Sequence, residues 1–137
     1  QAAVLRVKLK YFQNDIARRR EIASMYQDML GSLTELELPP SPDSEPNRFD
    51  IFQNYEIKAT NRESLQNYLR DHGIGTLVQW AGTPVHQFES LELGTHELKN
   101  VDSFFLGCIM LPMNTSLTNE EVEYICSTVT RFYSEVL

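Results

Sequence analysis

Three histidines are the side chains of this sequence whose charge can change near neutral pH: His72, His86 and His96. His86 follows a predicted strand and lies near Trp80 and Gln87, and loops that come after strands often line binding sites. A hydrogen-bonded structural histidine is the alternative at this position. His72 stands at the predicted end of a helix, and His96 lies in a polar loop with no identifiable partner. We therefore single out His86 as the candidate site histidine.

Motifs for other kinds of catalysis are missing from the sequence. No serine lies in a nucleophile elbow, and the six glycines match neither the dinucleotide fingerprint nor the phosphate-binding loop. No cysteine and histidine cluster has the spacing of a zinc site, so no metal is predicted. None of the four lysines lies where burial would desolvate its amine for Schiff-base chemistry. The residues alone predict a small domain without a complete active site.

Composition and charge narrow the class of protein. A length of 137 residues predicts one domain spanning residues 1–137. The net charge of -7 argues against a nucleic-acid partner, and no apolar run approaches the ~20 residues of a membrane span. Cys108 and Cys126 have apolar neighbours, which predicts two buried free thiols in a cytoplasmic protein, with a disulfide as the alternative.

The charge is distributed unevenly along the chain. Residues 1–20 carry a net charge of +5, whereas the other 117 residues carry -12. The first segment could therefore face a phosphate or an acidic surface, as in an anion-binding regulatory domain. A solvated helix face is the alternative.

Apolar periodicity predicts an α+β fold. A small antiparallel-type sheet of about three or four strands packs against a long N-terminal helix, a middle helix and a C-terminal helix. The helices are expected at about residues 1–30, 60–73 and 118–137, the last two beginning with the capping boxes Thr60–Glu63 and Thr118–Glu121. The strands are expected at 36–38, 49–59, 75–80 and 104–110.

The core is predicted from the same spacing. Six residues are expected to be buried: Leu9, Phe12, Tyr26, Ile125, Val129 and Phe132. Val122, Cys126, Tyr133 and Val136 are expected to point inward from the last helix. The first helix has no N-cap residue before its apolar positions, which predicts that the chain is the C-terminal part of something longer.

Several motifs, in one order along the whole chain, resemble those of the DegT/DnrJ/StrS aminotransferases. Gln1–Leu9 and Arg20–Tyr26 resemble the "QAA-x-L-x-x-K-L … R-x-x-I-A-x-x-Y" helix of that family. The later matches are Gly73–Thr76, Pro84–Gln87, Met110–Met113 and Leu117–Val122. Gln79-Trp80 departs from the His-Tyr pair of many members and is similar to a branch that makes amino-deoxysugars, which suggests a dTDP-linked deoxyhexose.

The resemblance implies the small C-terminal domain of a fold-type-I enzyme that depends on pyridoxal phosphate (PLP) and aminates nucleotide-linked keto sugars. The Schiff-base lysine and most phosphate contacts would lie in a large N-terminal domain, so this chain is expected to bind no PLP and to be inactive alone. The family forms homodimers, and His86, Trp80 and Gln87 are expected to reach the substrate or the interface. Arg6 and Lys8 are expected to face a phosphate. A stand-alone binding or dimerisation module without catalysis is the alternative.

Overall fold

The computed structural model describes residues 1–93 and 96–136, and within these ranges the fold is α+β, as predicted. The helices are α1 (Ala2–Leu30), α2 (Arg62–Asp71), α3 (Lys99–Gly107) and α4 (Asn119–Arg131). The strands are β1 (Leu36–Glu37), β2 (Tyr55–Ala59) and β3 (Cys108–Leu111). No helix in the described ranges has both the length and the apolar character needed to cross a membrane.

The sheet has the order β1-β2-β3, and both strand pairs are antiparallel. Tyr55 lies opposite Leu111, and Ile57 lies opposite Ile109. Directly paired residues share one face of a sheet, so these four side chains form a single apolar face. All four are buried, and this face forms one side of the hydrophobic core.

Three helices cover that face. The second half of α1 contributes Ile22, Ala23, Tyr26 and Leu30, α2 contributes Leu65 and Leu69, and α4 contributes Val122, Ile125, Cys126 and Val129. The Thr118–Glu121 capping box is confirmed, with Glu121 Oε2 accepting from Thr118 N at 2.8 Å and Thr118 Oγ1 accepting from Glu121 N at 3.2 Å. Phe132 and Tyr133 are buried as predicted, whereas the side chain of Val136 lies outside the described residues.

The first half of α1 is exposed, so the prediction that Leu9 and Phe12 belong to the core is wrong. Their exposed fractions are 59% and 44%, and burial along α1 begins only at Ile16. At 1.5 Å per residue, residues 2–15 extend about 20 Å along the helix. The predicted helical spacing is correct, but no described element of this chain extends far enough to cover the apolar side chains of residues 2–15.

Three predicted strands and one predicted cap are partly wrong. Residues 49–54 precede β2 without pairing, and residues 75–80 provide only a single bridge, Leu77 to Met110. Residues 104–107 belong to α3, because an apolar run of this length is compatible with either a helix or a strand. The cap of α2 is Asn61 in the left-handed conformation, with no side-chain hydrogen bond, so the Thr60–Glu63 capping box is wrong.

Three consecutive arginines of α1 join it to the loops around the core. Arg18 donates to the carbonyl oxygen of Leu117, and Arg19 Nη1 donates to the carbonyl oxygens of Phe52 (3.1 Å) and Gln53 (2.6 Å). Arg20 Nη1 donates to the carbonyl oxygen of Asp50 at 2.7 Å, and Arg20 forms an ion pair with Asp43. Three of the six basic residues in segment 1–20 therefore stabilise the fold. The basic residues that remain as candidates to face an anion are Arg6, Lys8 and Lys10.

Replacing Arg19 by alanine is expected to lower the free energy of unfolding by about 1.5–3 kcal/mol, because its guanidinium makes charged hydrogen bonds to backbone carbonyls. Urea unfolding measures the change. Arg6→Ala is the matched control on an exposed part of the same helix, with an expected change within ±0.5 kcal/mol. Equal effects of the two variants would contradict the structural role of Arg19.

Cys108 and Cys126 are both free and buried, as predicted. Burial raises the pKa of the Cys126 thiol to about 12, and burial likewise raises the pKa of Cys108.

An unfolded thiol ionises near about 8.5, so the neutral native thiol stabilises the fold fully below that pH. We therefore expect the free energy of unfolding to fall as the pH rises from about 8.5 towards 12, and to fall less in Cys126→Ala. Urea midpoints that stay constant up to pH ~11 would contradict this.

Candidate functional site

His86 lies in a short 3₁₀ turn, Val85–Gln87, that begins after the buried Pro84. Only 6% of its side chain is exposed. Its Nε2 atom lies 3.0 Å from Asp102 Oδ1, and Gln87 Nε2 donates to the same oxygen at 2.9 Å. The structure thus brings the predicted His86 and Gln87 together on one carboxylate in the first turn of α3.

A cavity of about 670 Å³ opens beside this cluster. His86, Gln87, Phe88 and Leu93 line it together with His96 and four carboxylates, those of Glu89, Glu92, Glu97 and Asp102. Such a lining repels phosphate groups and favours hydroxyl or amine donors. The cavity is therefore suited to a ligand rich in hydroxyl or amine groups and not to a phosphate group.

Trp80 lies outside this lining, on the preceding turn. The turn spans Gln79–Gly82, and three successive residues in it are left-handed: Trp80 (φ 49°), Ala81 (φ 53°) and Gly82 (φ 80°). Left-handed non-glycine residues cost roughly 1–3 kcal/mol each and cluster at functional sites. Trp80 is nevertheless 70% exposed, so no burial of its ring offsets that cost. The turn presents a large aromatic ring to solvent.

Two polar side chains, those of Glu56 and Arg62, lie next to this turn on the face of the sheet that points away from the core. Glu56 Oε1 and Arg62 Nε are buried without a hydrogen-bond partner among the described residues. Burial raises the pKa of the Glu56 carboxyl. A Cβ atom at Gly82 would lie 3.7 Å from Arg62 Nη2, which shows that the turn rests on the Arg62 side chain.

Arg6 and Lys8 lie on the exposed half of α1. Neither makes an ion pair or a side-chain hydrogen bond within residues 1–93 and 96–136, and a phosphate-facing role for them stays a prediction. The sequence does not identify Asp102, because a lone aspartate in a segment without a clear helix or strand pattern carries no signal. No cluster of metal-ligating side chains occurs in the described part of the chain.

The profile of the DegT/DnrJ/EryC1/StrS aminotransferase family matches residues 1–130. The chain belongs to this family. A curated relative, the pleiotropic regulatory protein of Geobacillus stearothermophilus, is 29% identical over 136 residues, which are 97% of this chain and 36% of the relative. The dTDP-3-amino-3,6-dideoxy-alpha-D-galactopyranose transaminase of Aneurinibacillus thermoaerophilus is 29% identical over 132 residues, 96% of this chain and 35% of that enzyme. The chain thus spans about a third of the length of these relatives.

Solved aminotransferases share the fold. The crystal structure of Streptomyces venezuelae DesV in complex with a ketimine intermediate superposes with a TM-score of 0.89 at 24% identity, over 100% of this chain and 37% of DesV. A DegT DnrJ EryC1 StrS aminotransferase from Brucella abortus superposes with a TM-score of 0.84 at 22% identity, over 98% of this chain and 35% of that enzyme. These superpositions confirm the predicted fold class, and the match to the family profile confirms the family resemblance.

Proposed function

We propose that residues 1–137 are the C-terminal small domain of a longer PLP-dependent aminotransferase that aminates a nucleotide-linked keto sugar. The observation that carries the proposal is the family match over residues 1–130, in a chain that spans only 36% of a relative's length. A dTDP-linked deoxyhexose is the proposed substrate, since one relative is named for a dTDP-linked dideoxy amino sugar. Glutamate is the proposed amino donor.

The isolated chain is proposed to be inactive, because the residues of its cavity do not suit PLP. Among the described residues no lysine lines the cavity, so they supply no amine there for a Schiff base. Its four carboxylates oppose the phosphate group of the cofactor. The residues that hold PLP would then belong to the rest of the longer protein, and this chain would supply contacts to the sugar nucleotide.

Within the longer protein, His86 and Gln87 would bind the sugar in the acidic cavity. Trp80 would pack its ring on the sugar or the base, since aromatic faces bind both the apolar faces of sugars and nucleobases. Arg6 and Lys8 would face the phosphates that the cavity repels. Homodimer formation would bring such groups of two subunits together.

The exposed half of α1 is proposed to pack against the remainder of the longer protein. Six large apolar side chains on it are exposed: Val4, Leu5, Val7, Leu9, Tyr11 and Phe12. An exposed apolar surface of this kind favours association, so the isolated chain is expected to self-associate. The same surface favours the second candidate function, a stand-alone binding or dimerisation module.

The deciding experiment begins with the intact mass of the native polypeptide, detected with an antibody to this domain. A mass of roughly 40–45 kDa is expected, because the 15.8 kDa chain corresponds to 36% of a relative's length. That longer protein, incubated with PLP, should show the absorbance of an internal Schiff base and should transfer an amino group from glutamate to a dTDP-linked keto sugar. A native mass near 16 kDa would overturn the proposal and favour the stand-alone module.

A further inference from the structure

We propose that Asp102 is a positioning residue that holds His86 as the Nε2–H tautomer and fixes Gln87 beside it at the sugar cavity. The inference rests on the proposed function for its consequence in the enzyme, but the tautomer is a property of the chain itself. A single oxygen, Oδ1, takes both contacts: 3.0 Å from His86 Nε2 and 2.9 Å from Gln87 Nε2. The residue therefore connects α3 to the turn that carries the two candidate sugar contacts.

The chemistry of the three groups decides the tautomer. A carboxylate only accepts hydrogen bonds, so His86 must present Nε2 as a donor to it. In the neutral ring the proton is then on Nε2, and Nδ1 carries the lone pair. Gln87 meets the same oxygen through its amide nitrogen, which is a donor and does not accept from His86 Nε2.

Asp102 is also the contact that orients the ring. His86 Nδ1 is buried and makes no hydrogen bond within the described residues. The Nε2 contact is thus the one polar contact that holds the imidazole in this part of the chain. Without it, neither the tautomer nor the ring orientation would be fixed. With Nε2 committed to Asp102, the Nδ1 lone pair is the acceptor that the ring retains for a hydroxyl or amine of a sugar in the cavity.

A purely structural role for Asp102 is the competing explanation, because an acidic side chain in the first turn stabilises a helix through the helix dipole. Such a role would leave the histidine tautomer unchanged. The variants must therefore separate the hydrogen-bond acceptor from the helix position. Asp102→Ala removes the acceptor oxygen, and Asp102→Glu keeps a carboxylate.

The first arm of the test is ¹⁵N NMR of the histidine rings in the 137-residue chain, whose core is formed by its own residues between 16 and 133. We expect His86 to show a protonated Nε2 and an unprotonated Nδ1 at high pH, and Asp102→Ala, which has no acceptor, to show a mixture of the two tautomers. Asp102→Glu should retain the Nε2–H form. Asp15→Ala, at an exposed position of α1, is the control and should change nothing. A single Nε2–H tautomer in Asp102→Ala would overturn the proposal.

The second arm is steady-state kinetics of the longer aminotransferase. Asp102→Ala is expected to lower kcat/KM for the sugar nucleotide about tenfold, chiefly through KM, whereas Asp102→Glu should keep most of it. An unchanged kcat/KM in Asp102→Ala would overturn the positioning role at the site. A wild-type protein without aminotransferase activity would instead overturn the proposed function, while the NMR arm still decides the tautomer.

Discussion

Truncating Phe132 to alanine is expected to lower the free energy of unfolding of the chain by about 3–5 kcal/mol. Phe132 is 1% exposed and lies where α4 ends against the rest of the core. Its ring packs against Tyr68 of α2 (5.4 Å between ring centroids) and Tyr133 (4.9 Å). The truncation would leave a cavity between two helices that the surrounding side chains cannot fill. Chemical denaturation monitored by circular dichroism measures the loss.

Phe12→Ala is the matched control for this measurement. It removes the same side chain from a residue that the helical pattern places in the core but the structure leaves 44% exposed. In dilute solution the expected loss is below ~1 kcal/mol. A loss below ~1 kcal/mol for Phe132→Ala would show that the last helix does not pack as described, whereas a large loss for Phe12→Ala would show that α1 packs on itself or on a second copy.

The comparison of these two phenylalanines shows what a sequence can and cannot predict. Both lie on the apolar stripe of a helix, because a period of 3.6 residues identifies which face is apolar. Burial also requires a partner surface, and that depends on which other elements are in reach. For Phe132 the partners are other helices of this chain, whereas for Phe12 none of the described elements covers it. Periodicity therefore predicted both helices correctly and one of the two burials wrongly.

The strand errors have a similar physical origin. Residues 49–54 alternate in polarity, yet Phe52 is left-handed and its amide is bonded to the Asp50 side chain at 2.8 Å. This local hydrogen bond, a common feature of aspartate in turns, competes with strand pairing. Residues 104–107, predicted as the start of a strand, are instead the last four residues of α3. Short apolar runs do not contain the information that would decide between these outcomes.

The candidate site was only half predictable. His86 and Gln87 were found because they share a motif and a loop after a predicted strand. Asp102 lies 15 residues beyond Gln87, and only the folded chain shows that α3 brings its carboxylate to both. The left-handed backbone at Trp80 was likewise not predictable, since a tryptophan followed by alanine and glycine suggests no strained turn.

Trp80, in the strained turn, is expected to contribute to substrate binding but not to the stability of the fold. In the proposed longer aminotransferase, Trp80→Asn is expected to raise KM for the proposed sugar-nucleotide substrate by about 5- to 150-fold. This corresponds to the roughly 1–3 kcal/mol that stacking of an aromatic side chain on a base contributes. The same variant is not expected to destabilise the chain, because Trp80 is 70% exposed and asparagine tolerates the left-handed conformation better. Steady-state kinetics and thermal unfolding of the one variant test both parts.

Trp80→Phe is the matched control, because it keeps an aromatic ring on the same left-handed backbone. It should retain most of the affinity for the sugar nucleotide and the same stability as the wild type. If Trp80→Asn left KM unchanged, the exposed ring would have no role in substrate binding. If it instead lowered the melting temperature, Trp80 would be a packing residue against surface that the isolated chain does not contain. Natural proteins keep strained, exposed residues of this kind where binding benefits from them, at a cost in stability. An asparagine that stabilises the turn and weakens binding would be direct evidence of that trade-off here.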